Sequence, residues 1–297
     1  MRFSLLALIF LVSCTERLKT LPASTGSHSE VIFVVNDNLW ELKINTLVRN
    51  TFGASLEGLS QIEPIFRVIQ INHSEFKSIF KTHKNIVLIS EGSEISIRKN
   101  KWAKDQLVAQ LNFIGNSIST LKELEKLREF FLFKEVNSIR KSIARLSQKN
   151  IENGIKKFFK IDCLVPKEYE IIENNESVFW AHYNPKKSDE IKNILTFSFY
   201  PKLANLQEEI LQRTDSIFSK YLIGKREGSY VKIEQEYPPY YFDNTYRGLW
   251  KLENGFMGGP FVIKTYFVED KIVVNVGLVF APQSRKRKYI KELEAIL

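Results

Sequence analysis

The sequence predicts an α+β fold in which antiparallel sheets flank a helical middle section, an arrangement compatible with two packed α+β subdomains. Three observations predict it. Val31-Ile32-Phe33-Val34-Val35 is a continuous β-branched and aromatic run, the pattern of a buried strand. Residues 116–160 repeat apolar side chains at three- and four-residue steps among lysines and glutamates, which is helical. In residues 161–297 strand-like runs far outnumber long helices, and the Glu269-Asp270 link is short enough to force its flanking strands into an antiparallel hairpin.

Residues 30–113 form an N-terminal α/β-type section of strands and short helices. After the opening strand, Asn36-Asp37-Asn38 closes it and a helix follows from Leu39 or Trp40 to Asn50. Residues 66–71 make a second strand, and Asn72 or Ser74 caps a short helix through Phe76, Ile79 and Phe80. Ile86-Val87-Leu88-Ile89 is a third strand. Residues 95–99 and 104–113 pair as a hairpin about Asn100-Lys101.

Residues 114–160 form the helical section. Thr120-Leu121-Lys122-Glu123 has the form of a capping box, whose hydroxyl and carboxylate satisfy first-turn amides. Ile118, Leu121, Leu124 and Phe131, then Val136, Ile139, Ile143 and Leu146, predict one dry face, with a break near Phe133, Lys134 or Ser147. Ile151, Ile155, Phe158 and Phe159 belong to a final piece. Residues 161–297 form the third section. Its strands are expected at 169–172, 178–183, 194–200, 230–234, 246–252, 261–268 and 271–280, with a helix opened by Asn205-Leu206-Gln207-Glu208 and another over 284–297.

The chain begins with an address. Arg2 is a positive n-region, residues 4–12 (SLLALIFLV) are a short apolar run, and Leu11-Val12-Ser13-Cys14 ends it with a small residue before a cysteine. A membrane span needs about 20 apolar residues, so this run predicts a signal peptide over residues 1–13. The ending resembles the bacterial lipobox, which implies diacylglycerol on the Cys14 sulfur and a further acyl chain, palmitate in type, on the new N-terminus. Two or three chains at about 0.8 kcal/mol per buried methylene hold a protein on a bilayer effectively permanently. Residues 14–29 then read as the lipidated cysteine and a flexible polar tether.

Cysteine and charge fit that setting. With Cys14 lipidated, Cys163 has no partner for a disulfide, and in Ile161-Asp162-Cys163-Leu164-Val165 it reads as a small buried hydrophobe. Forty-three basic against 34 acidic residues give +9 at pH 7. Much of that surplus lies among glutamates on the helical surface, and export removes nucleic acid as a partner. At 44% hydrophobic residues the chain can bury a large core.

No catalytic motif stands out. His28, His73, His83 and His182 form no metal-binding spacing, and the chain has no nucleophile elbow, phosphate loop or dinucleotide fingerprint, so no metal or cofactor is expected. The densest unusual chemistry lies between residues 237 and 262. Tyr240, Tyr241, Arg247 and Trp250 supply aromatic and guanidinium anchors, and Gly258 and Gly259 permit close backbone approach, which marks them as a candidate binding surface. Alternation puts Arg247 and Leu249 on one strand face and Gly248 and Trp250 on the other. The leading expectation is a non-catalytic binding or assembly module for an envelope protein, glycan or lipid. The alternative is a hydrolase of envelope polymers that pairs carboxylates drawn from Glu63, Asp215 and Asp243.

Several short motifs carry a family resemblance: Asn38-Leu39-Trp40, Gln61-Ile62-Glu63-Pro64-Ile65-Phe66, Asn100-Lys101-Trp102, Val178-Phe179-Trp180, Arg247-Gly248-Leu249-Trp250 and Phe256-Met257-Gly258-Gly259-Pro260. With them the chain, from about residue 28 onward, resembles an uncharacterised family of Bacteroidetes lipoproteins known as a domain of unknown function. The resemblance implies a lipidated envelope protein and carries over no catalytic residue. The third section is also similar in layout to the photosystem extrinsic proteins and Mog-type nuclear-transport factors, which implies partner binding. Thr15 lacks the aspartate associated with inner-membrane retention, and Glu16-Arg17-Leu18-Lys19 lacks an acidic surface-export run. The expected location is the outer membrane, facing the periplasm.

Overall fold

The computed structural model of the chain describes residues 20–91, 96–113, 115 and 117–297. The signal peptide over residues 1–13, the lipidation site Cys14, the first part of the tether, and Ile95 of the expected hairpin lie outside the described residues.

The first unit is a five-stranded sheet in the order β2-β1-β3-β5-β4, built from β1 (Glu30–Val34), β2 (Arg67–Ile71), β3 (Asn85–Glu91), β4 (Ser96–Lys99) and β5 (Leu107–Phe113). β1 runs parallel to β2 and β3, and β3 parallel to β5; only β4 is antiparallel, so this sheet is mixed, as an α/β-type section requires. Strand direction follows from the connections, and those between the parallel strands cross over. The apolar run at β1 has its cause here, because both faces are covered. Phe33 faces Phe52 and Phe66, while Ile32 and Val34 face Phe76, Phe80 and Trp102.

The crossovers are short helical pieces: α1 (Asp37–Leu39), a π-turn over Trp40–Ile44, α2 (Asn45–Thr51) and, later, α3 (Ser78–Lys81). Asn36 caps the first by accepting from the Asn38 amide at 3.0 Å. Asn72 forms a capping box with Glu75 ahead of α3, as its position predicted.

Residues 22–29 are not the free tether expected of them. Thr25 accepts from the Lys84 amide at 2.8 Å and donates to the Thr82 carbonyl at 2.9 Å, and Pro22 accepts from the Lys104 amide at 2.7 Å. Small polar side chains leave this backbone free to meet the groups that the strand-end loops leave open. The segment is therefore fastened to the body.

The helical section is α4 (Ser117–Ala144) and α5 (Lys149–Phe159), broken around Ser147 and continuous through Phe133 and Lys134. α4 starts at Ser117, so Thr120 lies inside the helix and is buried. Its buried stripe is Thr120, Leu124, Leu127, Phe131 and Glu135, whereas Ile118 and Leu146, expected on the dry face, are 71% and 69% exposed. Phe131 completes an edge-to-face aromatic cluster with Phe52 at 5.8 Å and Phe66 at 6.4 Å.

Beside that stripe, Lys134 donates to the Asp105 carbonyl at 2.7 Å. Burial, and then the charge of Lys84, pushes its pKa down to about 8 from 10.5. Between those values the unfolded chain holds the proton that the folded chain has released, so stability rises with pH across that window. Below about 8 the cost of the charged form is present in full. Lys134→Met is expected to reduce the slope of stability against pH between about 8 and 10.5, read from urea midpoints; an unchanged slope rejects the assignment.

The second unit is an eight-stranded antiparallel sheet in the order β10-β11-β12-β13-β8-β7-β6, with β9 pairing β11 off that path. Its strands are β6 (Glu170–Asn174), β7 (Val178–Tyr183), β8 (Ile191–Phe199), β9 (Val231–Ile233), β10 (Tyr240–Phe242), β11 (Thr245–Leu252), β12 (Gly258–Val268) and β13 (Lys271–Phe280). α6 (Leu206–Tyr221), capped by Asn205, packs Ile210 and Phe218 on one face. α7 (Arg287–Ile296) packs Tyr289, Ile290 and Leu293 toward the other. The class is thus α+β with a helical middle section.

α4 and α7 pack on each other and carry one continuous apolar core between the two sheets. Both ends of α7 are tied down. The Glu63 carboxylate accepts from the amides of Lys286 at 2.5 Å and Arg287 at 3.0 Å, while Arg140, Lys264 and Tyr266 each donate at 2.6 Å to its last carbonyls. Between α4 and α7 lies a fully buried ion pair: Lys291 Nζ donates to Glu135 at 3.1 Å, to Ser29 Oγ at 2.8 Å and to the Ile65 carbonyl at 3.3 Å. Ser29 Oγ in turn donates to Glu135 at 2.9 Å. All three ammonium protons are used.

Candidate functional site

The candidate residues between 237 and 262 separate into two places. Tyr240 and Tyr241 form β10, which the sequence left as loop, in a hairpin with β11 through Asp243 and Asn244, both at positive φ (46° and 56°). That is the backbone a tight hairpin turn requires, and Asp and Asn tolerate it. Tyr240 pairs with Arg247, and both line a small groove of about 270 Å³ closed by Leu132 and Phe133 of α4. The Arg247 guanidinium is already engaged by Glu294, its Nε and Nη2 each 2.6 Å from Oε1. Both tyrosines are 40% exposed.

Trp250 does not join them. It is 5% exposed and packs in the core beneath α6, with its indole N–H donating to the Val279 carbonyl at 3.2 Å. Gly259 lies opposite Trp250 in the β11–β12 ladder, and a Cβ there would stand 2.0 Å from the Val279 oxygen. The close approach expected of Gly259 is to the protein's own sheet, and Gly258 pairs with Lys251 beside it. Trp250 is therefore a core residue and the half-buried Gly259 packs on the sheet beside it, a correction to their placement on an exposed surface. Strand alternation separates Arg247 from Trp250, as the sequence predicted.

One edge of Trp250 reaches the floor of a larger cleft of about 680 Å³. Trp180 and His182 of β7, Asn193 of β8 and Leu278 of β13 share that floor, and Tyr221 at the end of α6 stands at one wall. Phe256 and Met257, in the turn between β11 and β12, form the opposite wall, with Phe256 93% exposed. Trp180 meets Tyr221 edge-to-face at 6.2 Å. The polar groups are few and ordered: the Trp180 indole donates to Asn193 Oδ1 at 2.9 Å, and His182 Nδ1 lies 2.9 Å from the same oxygen. An indole N–H can only donate, so that atom is the amide oxygen and His182 carries its proton on Nδ1. Lys225 and Arg226 line the mouth, the latter over the Phe256 ring at 5.6 Å.

The carboxylates considered for hydrolysis stand on separate elements. Glu63 caps α7, Asp215 on α6 accepts from the Ile233 amide at 2.7 Å, and Asp243 occupies the β10–β11 turn. Burial raises the Asp215 pKa without a second acid beside it in that role. Cys163 is free and buried, and burial pushes its thiol up to about 12, which makes it inert as a nucleophile. Among the described residues no cluster of His, Cys, Asp and Glu can hold a metal, and no helix is long and apolar enough to cross a membrane.

An α+β protein with a closed hydrophobic core and an aromatic cleft in its second unit is the class that these features define. Two family models match the chain, a domain of unknown function (DUF8532) over residues 24–144 and a domain of unknown function (DUF4837) over residues 148–297. The second covers half of the chain, and the chain belongs to that family. The two matches meet at the break between α4 and α5. No curated protein matches the chain.

Proposed function

We propose that this protein is a lipid-anchored, non-catalytic binding module of the bacterial envelope, held at Cys14, that takes a single-chain anionic amphiphile into the cleft beside Trp180 and Trp250. The observation that carries the ligand reading is the cleft itself. Its volume lies in the range of small-molecule sites, its walls are aromatic and apolar, and a few oriented polar groups sit on its floor. An acyl chain would lie among Trp180, Tyr221 and Met257, with its acid group toward Lys225 and Arg226. The short apolar run ending at Cys14 supports the anchor, and the absence of an acidic run after it favours the periplasmic face of the outer membrane.

Calorimetric titration of oleate into the mature protein tests the ligand. One-to-one binding is expected, weakened at least about tenfold by Met257→Trp, which fills the cleft, with Tm preserved. No saturable heat, or equal affinity in the variant, removes the proposal. For the anchor, mass spectrometry of the mature N-terminal peptide is expected to show Cys14 carrying diacylglycerol, and Cys14→Ser to release the protein from the membrane fraction. An unmodified Cys14 rejects it.

A further inference from the structure

The cleft between α4 and the start of α7 is separate from the aromatic one and has a different chemistry. It is an open cleft of about 560 Å³. We propose that it is a binding site for a phosphate-bearing small molecule with an apolar portion.

The cations come from one wall. Arg285, Arg287 and Lys288 line it, and among the described residues none of the three is ion-paired with a carboxylate. Arg287 is held instead by donation to the Pro64 carbonyl, which fixes its position without cancelling its charge. Lys288 lies over the Tyr289 ring at 4.4 Å. The two acids that line the cleft are already engaged: Glu135 by Lys291 and Ser29, and Glu292 by Lys192 at 2.7 Å. Three cations that line one cleft without a direct carboxylate ion pair set a positive potential that a dianion would satisfy.

The opposite wall is α4. Ser138 and Ser142, four residues apart and so on one helix face, bring two hydroxyls to the cleft. Ile139 and Ile143 bring an apolar strip beside them. Guanidinium forks with hydroxyls are the donor set that phosphate oxygens take, since charge-assisted bonds to a dianion are about twice as strong as neutral ones. The isoleucines account for the apolar portion. The buried Lys291–Glu135 pair at the floor holds the two walls together and leaves no proton of its ammonium for a ligand.

The test is calorimetric titration of the full chain in detergent with glycerol 3-phosphate, alongside co-sedimentation with phosphatidylcholine vesicles that contain phosphatidic acid. Each is repeated on Arg285→Glu/Lys288→Glu and on the control Lys122→Glu/Lys187→Glu, exposed lysines that do not line the cleft. Saturable binding of glycerol 3-phosphate that falls at least about tenfold in the cleft variant alone supports a free phosphate ligand. Binding to the vesicles alone, with the same dependence on the variant, supports a lipid headgroup as the source. No binding in either arm, or an equal fall in the control, overturns the proposal. Thermal unfolding of both variants checks that they fold.

Discussion

Lys291→Met is expected to cost about 3–5 kcal/mol of stability, because it removes the ammonium that pairs with the buried Glu135 carboxylate and leaves the Ser29 hydroxyl and the more distant His28 ring, at 3.8 Å, beside it. The residue sits at 2% exposure, its ammonium meets the Phe66 ring at 4.5 Å, and burial lowers its pKa even with Glu135 beside it. The pair need not be worth that much in itself. Taking two charges out of water costs nearly what their attraction returns, so Lys291→Met/Glu135→Leu should recover most of the loss. Urea unfolding at constant m reads both values. A single variant that loses under about 1 kcal/mol, or a double variant no better than the single, would show that water reaches the pair.

Gly259→Ala is the second large effect. The new methyl would stand 2.0 Å from the Val279 oxygen, a backbone atom that cannot rotate away, so β12 and β13 must separate locally. Overpacking of this kind costs about 1–3 kcal/mol. The Trp250 indole bonds to that same oxygen, and losing the bond strands a buried donor at about a further 1–3 kcal/mol. A fall in Tm is expected with a red shift of tryptophan emission. Gly258→Ala is the comparison: its methyl would meet the Trp250 carbonyl at 3.0 Å, so a smaller fall is expected. Equal losses at both positions would refute the reason given for Gly259.

Much of the fold was legible because local chemistry decides it. The β1 run, the Asn72 and Asn205 caps and the two-residue link before β13 act within a few residues of themselves. The phase of α4 was not, because its buried stripe begins at Thr120 and ends at Glu135, whose partners Ser29 and Lys291 lie far off in the chain. Apolar spacing therefore pointed to Ile118 and Leu146. The parallel pairing of β1, β2 and β3 was hidden for a similar reason, since direction belongs to the connection. Trp250 shows the limit at the site: spacing marks an anchor without saying whether it holds a ligand or α6. Trp180, His182 and Asn193 were missed, although alternation in β7 puts Trp180 and His182 on one face. Their meeting with Tyr221 depends on where α6 ends. Ser29, Glu135 and Lys291 come from the start, middle and end of the chain, and no window joins them.

That last separation bears on how the protein is made. A chain made N-terminus first presents Ser29 and α4 long before Lys291 exists to pair with Glu135. Until α7 emerges, Glu135 lacks the ammonium that pairs with it in the core, and Glu63 has no helix to cap. The first unit is thus matched as a family of its own yet completed by the last residues of the second. Synthesis that stops short of residue 291 leaves an open first half, exposed to proteases until α7 arrives.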